Sequence, residues 1–401
     1  MERYSEYKDS GVKWLGEIPS HWEVKRLGSF FFERKEKVSD KDYAPLSVTK
    51  QGIFPQLENV AKTNDGDNRK LVKEGDFVIN SRSDRKGSSG VSGLDGSVSL
   101  INIVLQPRKV LFGPFCNYLL KSYGFIEENY RNGRGIVADL WTTRYDEMKM
   151  IKVAMPSFEE QKNISSYLDA ATSKIDKAIA MQQKMIDLLN ERKQIIIQNA
   201  VTKGIDENVE MKDSGVEWIG MIPKHWKIIR IKHLAKLQSG SNLTSNEISD
   251  TGSYPVYGGN GLRGFYGSYN CEGSYVLIGR QGALCGNINY AEDKFWATEH
   301  AVVCYPKKKY NTLWFGEVLR LMDLGQYSLA SAQPGLAVER IKGLYMPYPS
   351  IEEQNKIALF LKQNIGKIDL YARHCQRQIT LLQERKQIII NEVVTGKVKV
   401  S

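Results

Sequence analysis

Two basic, glycine-rich segments carry side chains whose chemistry suits the edges of nucleic-acid bases. Arg82-Ser83-Asp84-Arg85-Lys86-Gly87-Ser88-Ser89-Gly90 follows the predicted strand 76–80, and Gly279-Arg280-Gln281-Gly282-Ala283 follows that at 275–278. An arginine fork matches the two acceptors of guanine, a glutamine amide matches adenine, and glycines let backbone amides approach phosphate. Arg82, Arg85, Lys86, Ser88, Arg280 and Gln281 are therefore candidate contacts. Two further loops mix the same groups: 131–134 offers Arg131 and Arg134, and the aromatic stretch 254–266 offers Tyr257, Asn260 and Arg263. Basic glycine-rich turns are also ordinary solvated loops, so recurrence is the stronger signal. The stretch from Gly75 to Arg82 aligns with that from Gly273 to Arg280 at an offset of 198.

Other chemistry is missing. The chain has no G-x-x-x-x-G-K-[ST] phosphate loop, and its glycine-rich run 87–93 lacks both the following lysine and an opening helix. It has no H-E-x-x-H, and without a Pro-Pro pair it lacks the [DNS]-P-P-[YFW] motif of amino-methyltransferases. His21 and His225 each precede a tryptophan inside a repeated stretch. They read as parts of a packing element anchored by Trp14, Trp22, Trp218 and Trp226, not as catalytic bases. Five cysteines with no C-x-x-C pair read as reduced thiols; scattered burial is preferred over a zinc site from Cys271, Cys285, Cys304 and His300. No catalytic residue, metal site or cofactor is therefore assigned to this chain.

The elements that must position the loops are written twice. Lys8-Asp9-Ser10-Gly11-Val12-Lys13-Trp14-Leu15-Gly16 and the following Ile18-Pro19-Ser20-His21-Trp22 return from Lys212 to Trp226, an offset of 204. Pro156-Ser157-Phe158-Glu159-Glu160-Gln161 returns from Pro349 to Gln354, and Glu191-Arg192-Lys193-Gln194-Ile195-Ile196-Ile197 from Glu384 to Ile390, both at 193. A period this long is a duplicated domain rather than a solenoid. Ser157 with Glu160 makes a capping box, so a long helix starts there and runs to about Val201, with its copy from Ser350 to about Val394. Steps of four and three from Ile164 give a seam through Leu168, Ala171, Ile175, Ala178, Gln182, Met185, Leu189, Arg192 and Ile196. The copy runs through Ile357, Leu361, Asn364, Ile368, Tyr371, Cys375, Gln378, Leu382, Arg385 and Ile389. Two such stripes predict helices packed on each other, with Ala171 and Ala178 set against Tyr371 and Leu382 if they run antiparallel. Between them, runs such as 76–80, 99–105, 275–278 and 301–305 predict strands of a twisted sheet.

The expected architecture is α+β, in two pseudo-symmetric halves: a mixed α/β domain over 1–155, a long helix over 156–204, a second domain over 205–348 and a second helix over 349–401. The two helices form an antiparallel coiled coil. Lys and Arg number 56 against 46 Asp and Glu, and the resulting +10 favours a polyanionic partner. No apolar run reaches about 18 residues, and the first residues lack the apolar core of a signal peptide, which predicts a cytoplasmic protein.

Taken together, the repeated arms, the Pro-Ser-x-Glu-Glu-Gln starts and the Glu-Arg-Lys-Gln-Ile-Ile-Ile ends resemble the specificity subunit of type I restriction-modification enzymes. The resemblance covers the whole chain. It implies two target-recognition domains, each reading half of an interrupted double-stranded DNA site, with the helices as spacer. It also implies two modification (methyltransferase) subunits docked on those helices and two restriction (motor-nuclease) subunits, which bring S-adenosylmethionine, ATP and Mg; the host would be bacterial or archaeal. The alternatives are a specificity subunit of a type IIB-like restriction-methylation enzyme and a coiled-coil adaptor that binds no DNA.

Overall fold

The computed structural model describes residues 2–57, 66–135, 141–282, 284–328 and 335–400; Ala283 of the second loop lies outside them. The chain packs as two compact units, Met1–Gln183 with Arg377–Ser401, and Lys184–Gln376. Each long helix is thus shared, so the units do not follow the chain order in which the repeat is written. Among the described residues no helix is long and apolar enough to cross a membrane.

In the first unit, four antiparallel strands lie in the order Ser89–Val91, Phe77–Asn80, Asn102–Pro107, Phe31–Glu33. The period-2 alternation of a strand sends its side chains to two faces. Phe77, Ile79, Ile103 and Leu105 pack with Phe115 and Leu119 of helix α1 (Gly113–Leu120). Val78 and Val104 turn the other way, onto Leu46, Val72 and Val98. Helices α2 (Tyr123–Arg131) and α3 (Tyr145–Met148) follow. The expected strand at 99–105 begins only at Asn102. Ser99 instead accepts from the Asn102 backbone at 3.0 Å and from its side chain, which makes a turn of 99–101.

The second unit repeats this plan with the order Ala235–Ser239, Ala301–Pro306, Tyr275–Gly279, Ile288–Ala291. Val276, Ile278, Val302 and Cys304 pack under helix α6 (Thr312–Leu321), which follows the single turn α5 (Ile231–Leu234); Leu277, Ala301 and Val303 face a separate cluster around Phe295. That cluster belongs to an added sheet in which Tyr254–Gly258 pairs antiparallel with Gly261–Tyr266 and parallel with Lys294–Ala297. The single turn α7 (Val338–Ile341) closes the domain.

These faces correct the repeat inside the domains. Ile79 pairs with Ile103 on the helix-covered face, and the pair that matches it in the second unit is Ile278 with Val302. The structural offset is therefore 199, not 198, because a one-residue slip moves every side chain to the opposite face.

The long helices are α4 (Phe158–Lys203) and α8 (Ile351–Val394). They pack antiparallel inside each unit: Asp176 meets Lys386 at 2.7 Å in the first, and Lys193 meets Asp369 at 2.8 Å in the second. The buried stripe departs from the predicted seam. Met185, Tyr371, Gln378 and Arg385 are exposed, as is Arg192, and their places are taken by Ile186, Ala372, Ile379, Lys386 and Lys193. On both helices ten steps of the stripe span 36 residues, from Ile164 to Ala200 and from Ile357 to Val393. The buried positions thus average about 3.6 residues per turn and drift from the predicted seam, while the expected antiparallel pairing of the two helices holds. Tyr371 is 62% exposed, whereas Ala171, Ala178 and Leu382 line one groove.

The repeated motifs acquire a structural reason at the helix starts. Ser157 and Ser350 cap α4 and α8 through the backbone amides of Glu160 and Glu353. Each glutamate then clamps its arm: Trp22 Nε1 donates to Glu160 and Trp226 Nε1 to Glu353, both at 3.0 Å, while His21 and His225 lie 3.1 and 2.7 Å away. The buried glutamines tie the helix to the domain. Gln161 accepts from the backbone of Phe112 at 2.9 Å, and Gln354 from that of Asn311 at 3.0 Å. His21 and His225 are thus joints of the scaffold.

Candidate nucleic-acid interface

The segments 81–88 and 280–287 are one loop built twice. Asn80 N donates to Ser88 O at 2.9 Å, and Gly279 N to Asn287 O at 2.8 Å. Ser88 N donates to Arg85 O and Asn287 N to Leu284 O, which closes the same inner turn. Gly87 and Gly286 sit at the same position with φ of 80° and 87°, a conformation that side chains with a Cβ resist. Each loop is then tied to the segment before the following short helix. Thr143 N donates to Ser81 O at 3.0 Å, and Leu336 N to Arg280 O at 2.8 Å. Bridges pair Arg82 with Thr142 and Gln281 with Gly335. Backbone equivalence thus matches Arg82 with Gln281, and Ser81 with Arg280.

In the first unit the loop gathers its candidates unevenly. Thr142 bridges Arg134 as well as Arg82, so these two arginines flank one short segment. Lys86 reaches Glu127 at 2.7 Å and lies 4.3 Å from the centre of the Tyr130 ring. Arg131 pairs with Glu128 at 2.6 Å, Arg134 with Glu147 at 3.3 Å and Arg85 with Asp84 at 3.6 Å. Arg82 is exposed, and among the described residues no acid meets it. Ser88 is a correction: at 5% exposure it belongs to the fold of the turn, not to its presented edge.

In the second unit the hairpin 254–266 stands against the loop. A Cβ on Gly279 would lie 2.1 Å from Gly259 O, so only glycine permits this approach. The contact brings Tyr257, Asn260, Arg280 and Gln281 together: Asn260 Oδ1 lies 3.5 Å from Asn287 Nδ2, and Tyr257 O accepts from Thr298 N at 2.9 Å. Tyr257 stacks edge-on against Phe295, and burial pushes its hydroxyl up, so it remains a neutral donor. Arg280 reaches the Ser239 hydroxyl at 3.3 Å and Arg263 that of Ser245 at 3.4 Å. Neither meets an acid among the described residues.

Sequence reasoning missed several neighbours. Trp141, whose ring nitrogen donates to Tyr130 O at 2.7 Å, lines the pocket beneath Arg82 with Tyr130 and Asn80. The turn 49–52 presents exposed Lys50 and Gln51, and Thr49 O accepts from Ser89 N at 3.1 Å. Neither stretch carries the basic, glycine-rich pattern or the mix of aromatic, amide and basic groups by which loops were chosen. Among the described residues no group of histidine, cysteine or acidic side chains is arranged to hold a metal.

A family model described as the type I restriction modification DNA specificity domain matches residues 223–381, a span that holds the second loop and its hairpin. The type I restriction enzyme MjaVIII specificity subunit of Methanocaldococcus jannaschii is 24% identical over 436 residues, covering 98% of this chain and 97% of that one. The chain is thus similar to a type I specificity subunit along almost its whole length. The EcoprrI specificity subunit of Escherichia coli is 37% identical over 161 residues, 38% of this chain and 40% of that one. Two solved structures share the fold. A chain from a study of complex assembly and conformational transition of the type I R-M system has a TM-score of 0.73 at 14% identity, covering 95% and 99% of the two chains. The HsdS subunit from Thermoanaerobacter tengcongensis gives 0.54 at 15%, covering 97% and 100%.

Proposed function

We propose that this chain is a type I specificity subunit that chooses a bipartite double-stranded DNA site, each unit reading one half, and performs no chemistry itself. One observation carries the reading: two loops tied by the same backbone hydrogen bonds and bridges present Arg82 in one unit and Gln281 in the other. A constant frame with a changed side chain is what two related readers of different bases require. Arg82 suits the O6 and N7 acceptors of guanine, and Gln281 the N6 and N7 of adenine. Lysines and arginines around them hold phosphate and set the register. The helix pair serves as spacer and as docking surface for two modification subunits, which supply S-adenosylmethionine and methylate adenine. Exposed Met181 and Ile388 in the first unit, and Leu188 and Ile195 in the second, support such docking. Restriction subunits, with ATP and Mg, join the same cytoplasmic assembly for cleavage.

The test is a map of methylated adenines in cells carrying the chain with its modification partners. Arg82→Ala relaxes the site at one half and Gln281→Ala at the other, each by about 10-fold or more, as expected for losing a bidentate base contact. Uniform weakening of both halves by either variant overturns the reading.

A further inference from the structure

The ion pairs redistribute the charge that composition reports. The chain's excess is +10, yet of the basic residues at and beside the first loop all but Arg82 face acids, Lys86 with Glu127 and Arg134 with Glu147 among them. The unspent charge collects elsewhere, at the far end of the second unit's main sheet. Gly279 lies opposite Ala301 on antiparallel strands, so the reading loop and the turn after Pro306 leave from opposite ends. That turn is Lys307-Lys308-Lys309, exposed throughout.

Other elements bring cations to it. The backbone nitrogens of Lys307 and Lys308 donate to Leu234 O at 2.8 and 3.3 Å, which seats the turn on α5. Lys307 Nζ donates to Lys232 O at 2.9 Å, and Lys236 stands opposite Tyr305. Lys227 stands opposite Tyr348, whose ring centre lies 6.0 Å from Lys308 Nζ. Arg230 lies 4.8 Å from the ring of Tyr345 and donates to its hydroxyl at 2.8 Å. Neither 227–244 nor 300–316 contains an aspartate or glutamate. Among the described residues no acid neutralises this group; the nearby pair of Lys342 with Glu339 stays at its margin.

We infer that this surface is a second nucleic-acid contact, holding the phosphate backbone of duplex DNA away from the bases that the loops read. Lysine is a point charge that follows phosphate without reading sequence, and interleaved tyrosine faces, with Tyr345 42% exposed, suit a nucleic acid better than an acidic protein segment. The inference concerns affinity and not base choice, so it stands or falls apart from the function proposed above.

The experiment measures binding of the full-length chain to a non-target duplex and to a target duplex across a salt series. Each phosphate contact adds about 0.9 to the slope of log affinity against log salt. Replacing the turn by Lys307→Gln, Lys308→Gln and Lys309→Gln together lowers that slope by up to about 3 on the non-target duplex, with the preference for the target duplex retained. The pair Lys227→Gln with Lys236→Gln, remote from the turn's backbone bonds, lowers it by up to about 2. An unchanged slope in both variants overturns the inference, as does loss of a copurifying acidic protein with DNA binding intact. A wild-type chain that binds both duplexes equally, with the slope still falling in the variants, removes the proposed reading and leaves the second contact standing.

Discussion

At the scale of single residues, the scaffold depends on two carboxylates that each answer to an entire arm. Glu353 accepts from Trp226 and Ser350 and lies beside His225. Burial alone would raise its pKa from the ordinary 4.5, but the bonds from Trp226, His225 and Ser350 together hold it lower. A carboxyl depressed in the folded state adds stability above its unfolded pKa, and that stability is lost as pH falls through the folded value. The second unit should therefore lose melting temperature on acidification below about pH 4.5, and Glu353→Gln should flatten that decline. At neutral pH the same variant should cost about 1 kcal/mol, since one amide cannot replace all the acceptor sites. Thermal melts of both proteins between about pH 7 and about pH 3 check this; parallel curves would assign the acid sensitivity elsewhere.

At the scale of elements, the helices test how a stripe is read. Local signals were enough to place them: a serine-glutamate cap starts each, and an apolar period runs its length. Their phase was not legible, because four-three stepping assumes a strict heptad whereas the buried positions drift from it. Ile186 should therefore matter and Met185 should not, although the seam drawn from sequence names Met185. Met185 is 49% exposed. Met185→Ser should change the melting temperature little, while Ile186→Ser, removing a partly buried branched side chain, should cost about 1–2 kcal/mol. Equal effects would restore the heptad phase. The same limit explains the slipped repeat in the domains. Identities favoured Arg82 with Arg280, while the pleat decides which face a residue meets and matches Arg82 with Gln281. The candidate loops themselves were visible as basic, glycine-rich turns. Their charge state was not, because Glu127, Glu128 and Glu147 come from helices whose approach no local pattern encodes.

At the scale of the whole molecule, duplication separates what is fixed from what is free to change. Arms, caps and glutamine ties are the same in both units, whereas the loops share length, backbone ties and one left-handed glycine but not the side chains they carry. If the loop is an interchangeable cartridge, residues 81–88 can be replaced by the eight residues found at 280–287. The graft keeps the glycine where φ is positive and the backbone bonds to positions 80 and 143, so folding should survive at a cost of about 1 kcal/mol or less from lost pairs such as Lys86 with Glu127. It also places glutamine where Arg82 stood. The expected result is a methylation map altered in one half of the site, with a shift from guanine towards adenine at one position and the other half unchanged. A folded graft that keeps the original site would move recognition from this loop to its surroundings, with Trp141, Tyr130 and the turn 49–52 the next residues to exchange.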